Sequence, residues 1–74
     1  MNEEIINIIA NVAEVPSKKI NLDTNLVKDL ELESLDLVTL VSEFEEKYNI
    51  TGEDKDIKNL QTVKDIVDYI SKNV

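Results

Sequence analysis

Seventy-four residues are enough for one small domain and not for two, so the chain is read as a single unit spanning 1–74. It contains neither cysteine nor histidine, which excludes disulfide staples and thiolate zinc sites and removes the commonest general base and the commonest metal ligand together. The net charge of −8 lies between Asp29 and Asp56, where ten acids face two lysines and outside which the chain is neutral; such a field repels nucleic acid and anionic membranes and attracts basic protein surfaces.

The elements follow in chain order. Ile5, Ile8, Ile9 and Val12, flanked by Ile6 and Ala13, recur at the spacing of one helix face and predict an amphipathic helix over Glu4–Glu14. Pro16 limits it, because the residue before a proline disfavours the helical region. Residues 17–33 read as a long connection with a turn at Asp23-Thr24-Asn25. Ile20, Leu22, Leu26, Leu30 and Leu32 are apolar pegs expected to pack it against helices. Leu37, Leu40, Val41, Phe44 and Tyr48 make the stripe of a second helix over 34–48, with Val38 on its flank. Leu35 falls off that stripe, beside Thr39, Ser42 and Glu46, so an apolar residue is expected on a polar face. After Gly52, residues 53–60 hold one short helical segment pinned by Ile57 and Leu60. Thr62 reads as an N-cap with Asp65 completing a weak capping box, ahead of a last stripe of Val63, Ile66, Val67, Ile70 and Val74. The expected fold is all-α: a small four-helix bundle of three long helices and one short, with a long first loop.

No apolar run approaches the length of a membrane span, and Met1-Asn2-Glu3-Glu4 is acidic where a secretory leader would be basic. A soluble, cytoplasmic chain without membrane insertion is therefore expected. With no large apolar patch apparent, a monomer is expected too.

Ser34 stands where a loop gives way to an acidic helix, in Asp29-Leu30-Glu31-Leu32-Glu33-Ser34-Leu35-Asp36. One reading is structural: a serine there caps the helix, and the acids beside it favour the positive end of the macrodipole. Catalysis in place fits poorly. A nucleophilic serine needs a base in reach and an oxyanion hole, and a solvent-exposed carboxylate such as Glu33 or Asp36 is a weak base. The chain is not expected to be an enzyme. A serine modified by another enzyme needs only exposure and a recognisable surround.

That octapeptide resembles the attachment motif of acyl carrier proteins, usually Asp-Leu-Gly-x-Asp-Ser-Leu-Asp. The likeness extends upstream through Ile20-x-Leu22 and Asn25-Leu26-Val27-Lys28-Asp29-Leu30. Downstream it runs through Phe44-Glu45-Glu46-Lys47-Tyr48-Asn49-Ile50 and Thr62-Val63-Lys64-Asp65-Ile66-Val67-Asp68-Tyr69-Ile70. The resemblance implies that Ser34 takes 4'-phosphopantetheine from coenzyme A through a separate magnesium-dependent phosphopantetheinyl transferase. The arm's thiol, and no residue of the chain, would then carry acyl groups as thioesters to fatty-acid, polyketide or related biosynthetic enzymes. It further implies that Glu33, Leu35, Asp36, Thr39, Ser42, Glu43 and Glu46 dock on basic patches of the transferase, synthases and acyltransferases. There, surface charge raises encounter rates and sets orientation more than affinity.

Several positions depart from that pattern, Thr39 and Ser42 among them, which are less acidic and less bulky than the residues common at their places. Glu33 replaces the usual Asp and is a poorer cap. Glu31 replaces the usual Gly and would be strained if the position needs a positive φ. Gly52-Glu53 stands where Ile-Pro is frequent, so an apolar lining residue of an acyl cavity would be missing there, with Ile57 placed to compensate. Two other readings stay open: a plain acidic interaction module in which Ser34 is only a cap, and a calcium loop at Glu53-Asp54-Lys55-Asp56. The second is disfavoured because Gly52 precedes the acids and Lys55 interrupts them; no specific metal site is expected.

Overall fold

Apolar residues at helical spacing, in a chain with one glycine and one proline, leave helix packing as the means of forming a core. The computed structural model describes residues 2–52 and 54–73. Four α-helices follow in order: α1 (Asn2–Ala13), α2 (Ser34–Tyr48), α3 (Asp54–Lys58) and α4 (Val63–Asn73), with a 3-10 turn at Ser17–Lys19 inside the long connection. The fold is the all-α small bundle that the periodicity predicts. Val74, expected on the last stripe, and Glu53, expected at the head of the short helix and of the acidic run, lie outside the described residues.

Helix α1 begins two residues before the predicted start and stops at Ala13, ahead of Pro16. The stop is made by Glu14, at φ 58°, and by the Val15 N–H, which donates to the Ala10 carbonyl at 3.2 Å. This is the backbone pattern of a left-handed C-terminal cap with an apolar residue just beyond it. Helix α2 ends in the same way. Asn49 sits at φ 54°, and the Ile50 N–H donates to the Glu45 carbonyl at 3.2 Å. Asparagine tolerates that conformation far better than glutamate does.

The core is one cluster centred on Ile5, Ile9, Leu26, Leu40, Phe44, Val63, Ile66 and Ile70, all fully buried. Helix α1 packs against α2 and α4, and α3 lies on α2. Tyr69 is buried too, although it stands outside the predicted stripe. It closes over Gly52, where a Cβ would come within 2.8 Å of Val41 Cγ1 and 2.5 Å of the Tyr69 hydroxyl oxygen. Gly52 is therefore required by packing, and its N–H donates to the Glu45 carboxylate at 2.9 Å.

The long connection is packed as expected, with one correction. Ile20, Leu26 and Leu32 are buried and Leu30 is half-buried, but Leu22 is 39% exposed. Leu22 is held by its backbone instead, because its carbonyl accepts from the Lys64 N–H at 3.0 Å. Two more bonds join this loop to the start of α4: Leu26 N–H to the Gln61 carbonyl at 2.8 Å, and Val63 N–H to the Thr24 carbonyl at 3.0 Å. They flank an isolated antiparallel bridge between Asn25 and Thr62.

Across the bundle, the Tyr48 hydroxyl donates to the Glu4 carboxylate at 3.1 Å and Lys47 Nζ lies 3.6 Å from the same oxygen. The tyrosine hydrogen bond and then the lysine hold Glu4 below the usual carboxylate range. Burial, followed by the glutamate bond, pushes Tyr48 up.

Candidate functional site

The loop before α2 is built from short polar bonds. The Asn25 side-chain oxygen accepts from the N–H groups of Val27 at 3.0 Å and Lys28 at 2.8 Å, and the Asp29 carboxylate accepts from the Asn25 N–H at 2.7 Å. Such side-chain turns fold a chain back without regular secondary structure. The Leu32 N–H then reaches the Leu26 carbonyl at 3.1 Å, which returns the backbone to its starting point. Between them Glu31 turns through φ 55°. Substituting glutamate for the usual glycine therefore places a β-carbon in the left-handed region, as the sequence comparison anticipates.

The return delivers Glu33, in extended backbone at φ −96° and ψ 170°, as the N-cap of α2. The Asp36 carboxylate reaches back to accept from the Glu33 N–H at 2.9 Å, the returning arm of a capping box. Ser34 is the first residue inside the helix. This corrects the reading of Ser34 as the cap, because the extended residue whose carbonyl opens the helix, bonded to the Leu37 N–H at 3.1 Å, is Glu33. Ser34 is exposed, and among the described residues no group bonds its hydroxyl.

Ser34 also lines a cleft of about 670 Å³, with Val27, Leu37, Val38, Ile57 and Leu60 as its apolar walls. Ile57 is one of these walls. Gly52 does not line this cleft; it faces Tyr69 and Val41, so no lining side chain is lost at that position.

The expected docking residues lie where the periodicity puts them. Glu33, Leu35, Thr39, Ser42, Glu43 and Glu46 are exposed and Asp36 is half-buried, tied by its capping bond. Leu35 is 76% exposed, a large apolar side chain standing free beside the serine. The Thr39 hydroxyl donates to the Leu35 carbonyl at 3.0 Å, so it is partly occupied within the helix. Sequence reading missed the residues that share the cleft from elsewhere: Asn25, Val27 and Lys28 from the loop, Lys58 at the end of α3, and Leu60 and Gln61 after it. Val38, placed on the flank of the stripe, is 46% exposed at the cleft. No groups of metal-ligating side chains large enough to hold an ion occur among the described residues.

Comparison with known proteins decides the family. Residues 3–70 match the family model described as the phosphopantetheine attachment site. The chain belongs to the acyl carrier protein family. It is 42% identical over 73 residues to the acyl carrier protein of Syntrophobacter fumaroxidans, covering 99% of this chain and 90% of that one. It is 36% identical over 72 residues to that of Coprothermobacter proteolyticus, covering 97% and 88%. A solved structure described as an acyl carrier protein of Mycobacterium tuberculosis superposes with a TM-score of 0.88 at 28% identity, covering 96% of this chain and 95% of that chain.

Acyl carrier proteins are carriers and not enzymes, and their binding domain bears 4'-phosphopantetheine. The residues of this carrier fit that group. An unbonded, exposed hydroxyl stands at a helix start, beside a cleft with apolar walls. When bound, the group supplies a flexible arm ending in a thiol, which a chain without cysteine lacks. No helix among the described residues is long and apolar enough to cross a membrane.

Proposed function

We propose that Ser34 is the attachment point of phosphopantetheine, and that this chain carries acyl intermediates as thioesters to fatty-acid, polyketide or related biosynthetic enzymes in the cytoplasm. The observation that carries the reading is the hydroxyl itself. Ser34 lies one residue inside its helix, exposed and released from capping by Glu33. A phosphopantetheinyl transferase therefore meets an oxygen that can be modified without dismantling a helix end. Leu35 beside it offers an apolar contact, and Glu33, Asp36, Thr39, Ser42, Glu43 and Glu46 present an acidic and polar arc. That arc suits basic docking patches on the transferase and on synthases and acyltransferases. Such contacts are small and sensitive to salt, which allows a carrier to leave one enzyme for the next.

The experiment is intact mass after incubation with coenzyme A, magnesium and a promiscuous transferase. The expected result is a gain of one phosphopantetheine group that is lost in Ser34→Ala. A gain that survives that substitution would move the attachment point elsewhere.

A further inference from the structure

The cleft beside Ser34 has an unexpected charge. It opens in a chain of net charge −8 whose excess acids all lie between Asp29 and Asp56. Yet among the described residues no carboxylate lines it, and the ionisable side chains there are two lysines, Lys28 from the first loop and Lys58 at the end of α3. Both are exposed. Neither side chain makes an ion pair or hydrogen bond among the described residues. Lysine suits a rim of this kind, since its alkyl stem can lie along an apolar wall while the ammonium stays in water. Val27, Leu37, Val38, Ile57 and Leu60 supply that wall, and a volume of about 670 Å³ is in the range that holds a compact organic ligand.

A plain alkyl chain needs the wall and has no use for the lysines. An anionic terminus is repelled by the acidic surface around the cleft and meets two lysine cations at its rim. Resting on the reading of Ser34 as the attachment point, we propose that this cleft favours acyl cargo ending in a carboxylate, with Lys28 and Lys58 receiving that terminus. Charge complementarity of this kind acts mainly on selectivity, and it weakens as salt rises.

The test loads the protein from coenzyme A derivatives bearing either a hexanoyl group or its carboxylate-ended counterpart, adipoyl, confirms each by intact mass, and compares melting temperatures. The adipoyl form is expected to melt higher than the hexanoyl form at low salt. The gap should shrink at raised salt and close in Lys28→Gln/Lys58→Gln. Lys18→Gln/Lys19→Gln, an equal charge change on the 3-10 turn, whose residues do not line the cleft, should leave the gap open. If no group is added at all, the attachment reading fails and the proposal falls with it. If both groups are added and the adipoyl form melts no higher, the proposal alone falls. It falls also if the cleft variant lowers the adipoyl, hexanoyl and free-thiol forms alike, since the lysines would then serve the phosphodiester common to all three. The single variants Lys28→Gln and Lys58→Gln give the same comparison should the double variant fold poorly; each should narrow the gap.

Discussion

Helices α2 and α4 both open with an aspartate at their third position, and they use it to different ends. At α4, Asp65 accepts from the N–H groups of Thr62 and Gln61, both at 3.0 Å, and the Thr62 hydroxyl accepts from the Asp65 N–H at 3.2 Å. The first residue inside, Val63, is fully buried, as is Ile66 one turn on, while Lys64 is exposed and gives its N–H to the Leu22 carbonyl. At α2, Asp36 returns to Glu33 in the same manner, but the residues just inside are Ser34 and Leu35, both exposed. One helix start is spent wholly on the fold. The other satisfies its backbone with flanking carboxylates and leaves a hydroxyl and a leucine unused. A site for modification needs that separation, because a side chain that holds a helix end cannot be altered without loosening the end.

Substitutions at the two starts should break this comparison in opposite ways. The largest effect is expected at Ser34. Ser34→Ala should abolish phosphopantetheine loading while leaving the melting temperature close to that of the unmodified protein, as read by intact mass and thermal denaturation. Ile66→Ala, one turn into α4, should do the reverse. Removing a buried isoleucine costs about 2–5 kcal/mol, much of the stability of a domain this small, so urea denaturation should show a much lowered midpoint.

Thr62→Ala removes a cap and should cost about 1 kcal/mol, again by urea denaturation, with loading unaffected wherever the protein remains folded. Glu31→Gly relieves a left-handed residue in the loop that feeds α2 and should gain about 1 kcal/mol, seen as a melting temperature higher by roughly 4–8 °C. The gain should be absent if the loop relaxes to a negative φ.

The smallest effect concerns pH. The folded state lowers the Glu4 pKa, so the contribution of its contacts is fully present above the ordinary glutamate value and is lost as pH falls through the folded one. Tyr48 is raised, so its contribution is present below the ordinary tyrosine value and is lost as pH rises through the folded one. Tyr48→Phe should return Glu4 toward its usual titration, as followed by carboxylate NMR, and should make the acid limb of the stability profile shallower.

Much of this was legible in the chain. Leu37, Leu40, Val41 and Phe44 define α2 to the residue because a helix face repeats every three to four positions whatever packs on it. Thr62 and Asp65 announce the start of α4 because a capping box is local chemistry. Leu35 could be seen as misplaced on a polar face for the same reason of period, and it is exposed. Glu31 could be suspected of a positive φ only through the glycine usual at its place. Leu22 could not be distinguished from the buried pegs beside it, because its side chain yields to a backbone bond with Lys64 that spans the molecule.

The sequence alone determined the helices, the absence of any thiol or imidazole, the concentration of negative charge and the serine at a helix start, since each depends on residue type and near neighbours. Tertiary structure alone decided that Glu33 and Asp36 secure that start so that Ser34 remains open, and that Lys28 and Lys58, thirty positions apart in the chain, line one cleft beside it. Both depend on how a loop folds back and where a distant segment comes to rest. Those are set by burial of Leu26 and Leu60 and by backbone bonds between loops, which no local pattern encodes.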